Sequence, residues 1–288
     1  ETSEKLDATG GVPNFFGHQR FGTTRPITHL VGKALIKGTV KKAAMLFLAK
    51  PSPHEHPESR KAREQLQATR YFKQAAKDFP KQLRYERLML KHLSRRPDDF
   101  RGAFRRLPIK LRELFPQAYQ SYLFNKCLSR RIASGLWLNR AEAGDYVVNV
   151  ERSGLPMLIM HKTASAEKLT EINKALEEGK MRLALPLVGF KQRPSLGAPG
   201  EIEKEILEEE AIETEDFKIS IMPEIASRGE LRAATTPVRR FSLDETTCDS
   251  TNSSKYKAKL SFMLCRGSYA TIVLREIMKP RNPAKAGF

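Results

Sequence analysis

Apolar positions recur at helical spacing through the first half of this chain. Ala34, Leu35, Ala43, Ala44, Leu46, Phe47 and Leu48 predict two short helices between Gly32 and Ala49, with a turn over 38–42. Pro51 to Pro57 reads as a proline- and histidine-containing linker. Glu58 to Lys77 is rich in good helix formers and predicts one helix, ended by Asp78-Phe79-Pro80. Leu83, Arg87, Leu90, Lys91 and Leu93 continue the period as far as Arg95-Arg96-Pro97. Asp98 or Asp99 is placed to cap a helix from Phe100 to Arg106. Pro116 to Gly135 gives the clearest helix, since proline suits a first turn and glycine an end. Its Tyr119, Leu123, Phe124, Cys127 and Leu128 occupy more than half the circumference, which predicts burial on most sides. Gln120 falls inside that apolar arc, and a buried amide must find partners. Two roles fit Gln120 and Asn125: bracing the glycine-rich stretch near the N-terminus, or shaping a ligand pocket there.

Beyond Gly135 the pattern turns to strands. Tyr146 to Val150, Met157 to Met160 and Arg182 to Phe190 are rich in strand formers. Glu167 to Glu178 reads as a helix, Pro194 to Gly200 as a loop and Glu201 to Ile212 as an acidic helix. Phe217, Ile219 and Ile221 alternate as in a half-buried strand, and Ala233 to Leu243 suggests another. Thr246 to Ser254 is polar and reads as a loop. Leu260, Phe262 and Leu264 fall on one side of a strand that runs into Arg266-Gly267. Ser268 stands at an N-cap position before Ala270, Val273, Leu274 and Ile277, which follow at helical spacing. Residues 1–10 read as an exposed lead-in and Pro280 onward as a basic tail.

One stretch breaks both periods: Gly11-Val12-Pro13-Asn14-Phe15-Phe16-Gly17-His18-Gln19-Arg20-Phe21-Gly22. Glycine allows tight turns and close approach, and Pro13 disfavours helix at Val12. The segment predicts a compact loop carrying flat apolar rings beside amide and guanidinium donors. Those groups suit an unstacked base and its phosphate. They equally suit a buried turn with aromatic packing.

Charge sharpens the choice. The 288 residues carry a formal net charge of +18. An excess of that size points to a polyanionic partner, most simply nucleic acid. It is unevenly spread. Residues 58–112 hold 17 Lys/Arg against 6 Asp/Glu, whereas residues 201–216 hold 1 Lys against 9 acids. Segregation favours a binding surface. The longest apolar run, Ala43 to Ala49, is too short to span a bilayer, so no membrane partner is expected. Cys127, Cys248 and Cys265 are too few and scattered for a disulfide framework or a zinc site, and an intracellular, cytoplasmic setting is the expectation. No metal is expected at His54 and His56, which lack a further ligand nearby.

The order of residues from Gly11 to Gly22 resembles the signature of the TruD family of tRNA pseudouridine synthases, Gly-x-Pro-Asn-Tyr/Phe-Phe-Gly-x-Gln-Arg-Phe-Gly. Two further blocks, Ala118-Tyr119-Gln120-Ser121-Tyr122-Leu123-Phe124-Asn125 and Gly267-Ser268-Tyr269-Ala270-Thr271-Ile272-Val273-Leu274-Arg275-Glu276, are similar to that family in the same order. The resemblance runs from residue 11 to about 279. It implies an enzyme that isomerises a uridine of tRNA, typically at position 13, to pseudouridine without metal or organic cofactor. The bond from C1′ to N1 breaks, the uracil turns, and C5 bonds to C1′. By motif position, Asn14, Phe16, Gln19, Arg20 and Phe21 are implied to flank the substrate pocket, Tyr119, Gln120 and Asn125 to support it, and Gly267, Ser268, Tyr269, Thr271 and Arg275 to close it.

The family's nucleophilic aspartate stands in a Gly-x-Lys-Asp-x-x-Ala-x-Thr-x-Gln stretch that this sequence lacks. Asp7, the aspartate ahead of the first block, has no such surroundings. No residue here is therefore assigned as the catalytic one. The expectation is a C-terminal portion of a longer protein, inactive by itself, with a non-catalytic tRNA- or RNA-binding module as the alternative. The expected fold is α+β: an incomplete pseudouridine-synthase-type catalytic domain in two parts, residues 1–50 and 240–288, with an inserted α/β RNA-binding domain over 51–239. Oligomeric state is left open.

Overall fold

The computed structural model describes residues 10–252 and 254–281. The lead-in over residues 1–9, Asp7 with it, and the tail from residue 282 lie outside the described residues. The chain opens with a two-residue strand, β1 (Val12–Pro13), and a single 3-10 turn over His18–Arg20. Seven helices follow: α1 (Thr28–Ile36), α2 (Val40–Ala49), α3 (Pro57–Thr69), α4 (Phe72–Asp78), α5 (Arg84–Leu93), α6 (Phe100–Arg105) and α7 (Ile109–Ala133). Then come β2 (Tyr146–Val150), β3 (Pro156–Thr163), α8 (Leu169–Glu177), β4 (Met181–Leu187) and α9 (Gly197–Glu209). The described chain ends with β5 (Glu230–Ala233), β6 (Thr235–Thr236), β7 (Arg239–Cys248), β8 (Tyr256–Met263) and α10 (Ala270–Met278). This is a mixed fold in which helices pack on antiparallel strands.

Strands β3, β2, β4 and β5 form one antiparallel sheet in that order. Side chains alternate across it. Val147, Leu183 and Leu185 enter the main core, while Tyr146, Val148, Ala184 and Leu231 form a smaller cluster on the other face. Strands β7 and β8 pair as a separate hairpin. β1 pairs with β6, Val12 opposite Thr236, so the glycine-rich stretch is tied to the chain just past β5. Gly11 makes that approach possible. Its φ is +114°, and a Cβ there would lie 2.1 Å from the Thr236 carbonyl oxygen.

Helix α7 organises the core. It packs on α1, α9 and β4. Gly32 of α1 lets the two backbones close up, since a Cβ there would lie 2.1 Å from the Phe115 carbonyl oxygen. This contact explains a correction: α7 begins at Ile109, and Pro116 lies inside it. An interior proline costs about 3 kcal/mol. Burial of Phe115, Tyr119, Leu123 and Phe124 against the neighbouring elements offsets that cost.

Other local expectations change for local reasons. The helix expected over 58–77 breaks at Arg70, which takes a left-handed conformation (φ 53°) and donates its N–H to the Leu66 carbonyl. Asp99, rather than Asp98, caps α6 by accepting from the Gly102 N–H. Phe217 and Ile219 are buried, but not on a strand. A reciprocal capping box between Glu213 and Asp216 closes a 3-10 turn over Thr214–Lys218, and Ile219 is left-handed. Helix α9 starts at Gly197, inside the expected loop. The strand expected over 233–243 is three pieces, broken at Ala234 and at Pro237, which has no N–H to donate. Thr246 to Cys248, expected in a loop, pair with β8, as suits β-branched residues. Tyr269 rather than Ser268 is the N-cap of α10.

The acidic segment also finds its place. Glu210 receives Lys33 at 2.6 Å and Lys126 at 2.8 Å, and Glu209 receives Arg130 at 2.6 Å. Glu224 receives Arg105 and Arg112. Burial pushes the Glu210 carboxyl up, but hydrogen bonds from Lys126 and Lys33 outweigh it and bring it down to about 2. These acids neutralise α1, α6 and α7 from within the molecule. They leave the outer face of α5 bare.

Candidate functional site

A cavity of about 440 Å³ opens between the glycine-rich stretch, α7 and β5. Phe16, Arg20, Gln117, Gln120, Ser121, Arg228, Glu230 and Arg232 supply its wall. Three sequence blocks converge on Phe16 here. The Phe16 N–H donates to Asn125 Oδ1 at 2.9 Å, and Asn125 Nδ2 donates to the Phe16 carbonyl at 3.0 Å. The two residues are 109 positions apart. Tyr269, from the third block, packs its ring edge-on to Phe16 with centroids 6.1 Å apart. Phe124 does the same from α7 at 5.6 Å.

Arg232 of β5 locks this arrangement. Its Nε donates to the Asn14 carbonyl at 3.0 Å, and its Nη2 donates to Asn14 Oδ1 at 2.7 Å and to the Gly267 carbonyl at 3.1 Å. Its guanidinium lies 4.0 Å from the Phe16 ring centre, so one face of that ring is already occupied. Asn14 in turn donates to the Ala233 carbonyl. Arg20 enters the cavity from the other end of the stretch. Its Nε donates to Ser121 Oγ at 3.1 Å and its Nη2 to Gln117 Oε1 at 3.3 Å. Burial lowers the proton affinity of both arginines, Arg232 to about 10, and Arg20 adds to the effect on Arg232. Both stay cationic at neutral pH.

The remaining candidates divide. Gln120 lines the cavity, but its Nε2 donates to the Val188 carbonyl at 2.6 Å. It braces the segment after β4, not the glycine-rich stretch; Asn125 alone of the pair does that. Gln19 Nε2 reaches Thr271 Oγ1 at 3.4 Å, linking the first block to α10. Ser268 Oγ donates to Thr236 Oγ1. Arg275 lies 5.2 Å from the Phe15 ring centre and pairs with Glu276. Tyr119 is buried away from the cavity, stacked on Tyr122 and Phe217, with its hydroxyl donating to Glu210. Phe21 packs edge-on to His29 and does not line the cavity.

Sequence reasoning missed Gln117, Ser121, Arg228 and Arg232. Ser121 stood within the second block without being singled out. Arg232 gave no signal, because its partner Asn14 is 218 positions away in the chain.

A second feature is purely cationic. Two adjoining grooves of about 380 and 410 Å³ are lined by Lys81, Arg84, Arg87, Lys91, Arg95, Arg96 and Arg106, with Leu88 and His92 between. Among the described residues no carboxylate lines either groove. No described helix is long and apolar enough to cross a membrane, and no group of three metal-ligating side chains occurs among the described residues.

Comparison with known proteins gives a consistent family signal. The family model for tRNA pseudouridine synthase D (TruD) matches residues 1–277. A "Probable tRNA pseudouridine synthase D" from Methanosarcina acetivorans is 44% identical over 280 residues, covering 97% of this chain and 63% of its own length. One of the same description from Methanopyrus kandleri is 41% identical over 270 residues, covering 93% of this chain and 58% of its own. A crystal structure of a "Putative tRNA pseudouridine synthase D (TruD)" from Methanosarcina mazei superposes with a TM-score of 0.91 at 43% identity, covering 98% of this chain and 64% of the other. The chain thus spans just under two thirds of the length of these relatives.

Proposed function

The chain belongs to the TruD family of tRNA pseudouridine synthases, and from that premise we propose that it binds tRNA and forms the substrate-holding part of a uridine isomerase. The observation that supports this reading is the convergence of three distant blocks on Phe16 beside a cavity of nucleotide size. Such a cavity receives a flipped-out nucleotide, and preformed walls offset the few kcal/mol that unstacking costs. In this reading Arg20, Gln117, Gln120 and Ser121 meet the polar edges of the nucleotide. Asn14, Asn125 and Tyr269 act through Phe16 and Arg232, which they hold in place. Gln19, Thr271 and Arg275 fix α10 against the glycine-rich stretch, and Ser268 ties the start of α10 to β6. Tyr119 and Phe21 act only through packing. The basic face of α5 meets tRNA phosphates outside the cavity, as expected of an inserted RNA-binding domain over 51–239 on a catalytic domain split between 1–50 and 240–288.

Isomerisation needs a nucleophile, and the family's aspartate stretch does not occur in this sequence. We therefore read the chain as the part that holds the substrate, with the nucleophilic aspartate supplied from outside these residues. The 288-residue chain binds tRNA but converts no uridine. Pseudouridine formation, read by carbodiimide labelling and primer extension on an unmodified tRNA transcript, tests this. Turnover by the chain alone would overturn the placing of the nucleophile. Equal affinity for tRNA and for an unstructured RNA of the same length would overturn the substrate. If turnover still fails when a TruD aspartate stretch is joined ahead of residue 1, the chain is a non-catalytic RNA-binding module.

A further inference from the structure

We propose that Arg20 and Arg232 form a phosphate subsite that holds the backbone of the target nucleotide inside the cavity. The proposal rests on the tRNA-binding reading above and deepens it. Both guanidiniums lie within 6 Å of the Phe16 ring centre, at 5.8 and 4.0 Å. Both line the same cavity, together with a third arginine, Arg228. Their hydrogen bonds go to neutral acceptors only: Ser121 Oγ and Gln117 Oε1 for Arg20; the Asn14 carbonyl, Asn14 Oδ1 and the Gly267 carbonyl for Arg232. Among the described residues Nη1 of neither arginine has a protein acceptor, so Arg20 keeps its Nη1/Nη2 edge for a ligand, whereas Arg232, whose Nη2 already donates twice, keeps Nη1. Glu230 also lines the cavity and attracts both cations at a distance, but it forms no ion pair with either.

That arrangement is unfavourable unless an anion completes it. Two partly buried like charges raise each other's energy, and the field of one is felt by the other here. The two arginines buried most deeply among the described residues, Arg63 and Arg131, have carboxylates in contact. A phosphodiester fits the gap, because the Arg20 guanidinium offers paired, planar donors to two of its oxygens and Arg232 Nη1 adds a further charged donor beside them. A carboxylate ligand fits poorly beside a nucleotide, which carries none. The Phe16 ring, covered on one face by Arg232, then serves as the floor under that guanidinium and not as the stacking surface for the base.

The test combines tRNA affinity, its salt dependence and phosphate-ethylation interference for the wild-type chain, Arg20→Gln and Arg232→Gln. Arg20→Gln serves as the second variant because Arg20 bonds only two α7 side chains, whereas Arg232 joins three segments. The expected result is a drop in affinity of about tenfold for each variant, with the slope of log affinity against log salt reduced by about one. Ethylation at one or two adjacent phosphates interferes with wild-type binding, and that interference disappears in both variants while interference elsewhere persists. An interference pattern unchanged in Arg20→Gln, or a salt slope equal to wild type in both, overturns the subsite. If wild-type binding shows no preference for tRNA, the underlying reading fails instead, and the two failures are distinct.

Discussion

Two arginines of this molecule, buried Arg63 in the helical region and half-buried Arg232 at the cavity, are treated in opposite ways. In the helical region, Arg63 is 2% exposed and is ringed by acceptors: Glu55 Oε2 at 2.9 Å, Glu86 Oε1 at 2.7 Å, and the Phe47 and Leu48 carbonyls. At the cavity, Arg232 has two carbonyls, an amide oxygen and an aromatic face, and among the described residues no carboxylate in contact, Glu230 acting only at a distance. The first charge is balanced by the protein. The second is held in position but left unbalanced. A buried cation completed within the fold is a structural joint, whereas one left incomplete in an open cavity is, on the proposal made above, the half of a pair that an anionic ligand completes.

The largest expected effect breaks the first half of this contrast. Arg63→Met leaves the Glu55 carboxylate without its cation and the Glu86 carboxylate with only the more distant Arg25, 3.5 Å away. Removing one member of a buried ion pair costs about 3–5 kcal/mol. Denaturant unfolding should show that loss. A change below about 1 kcal/mol, the level of an exposed pair, would mean that Arg63 is no joint.

The matching change at the cavity should cost less. Arg232→Met strands the Asn14 and Gly267 oxygens, but it orphans no opposite charge. The expected loss is about 2 kcal/mol, measured in the same unfolding experiment. A loss equal to that of Arg63→Met would erase the distinction between the two sites. Saturating tRNA should also raise the unfolding midpoint of the wild type more than that of this variant, since only binding to the folded state stabilises it.

A third buried charge extends the comparison to acids. Glu203 accepts from the Ser195 N–H and hydroxyl but has no cation in contact, and burial pushes its carboxyl up to about 7. A carboxyl whose affinity for protons is raised by folding stabilises the fold while it is protonated. That contribution is present below the ordinary value of 4.5 and is lost as the pH rises to about 7. Glu203→Gln does not titrate and keeps acceptor and donor atoms facing Ser195. Relative to wild type it should gain about 3 kcal/mol between pH 4.5 and pH 8. A stability difference that stays flat over that range would show the carboxylate to be compensated after all.

These contrasts also mark what the sequence could reveal. Periodicity located most of the helical residues between 32 and 133 and the strands near 146, 157 and 182, because burial there follows one local face. The brace between Asn125 and Phe16 was legible through block order. It failed at Pro116, where close packing against Gly32 outweighs a local helix breaker, and at Phe217 and Ile219, where a capping box closes a turn under an alternating pattern. Tyr119 sits in a family block yet belongs to the core. Arg232 sits in none yet joins all the parts of the cavity. Its role depends on contacts 35 and 218 positions away, and no local period carries that information.

The smallest effect on stability falls on the bare cations of α5. Arg84 lines a groove with Lys81, Arg87 and Lys91, and no carboxylate among the described residues lines it with them. Arg84→Gln removes neither a packed surface nor an ion pair, so stability should change by no more than about 0.5 kcal/mol. Relief of repulsion among its cationic neighbours would act in the stabilising direction. Its effect should appear in tRNA affinity instead. The salt slope should fall by about one, uniformly across tRNA sequences, because a phosphate contact reads no base. At the cavity, by contrast, loss of Arg20 should remove interference at particular phosphates. Filter binding over a series of salt concentrations separates the two. An unchanged slope for Arg84→Gln would confine RNA recognition to the cavity and leave the cationic face of α5 without a role in it.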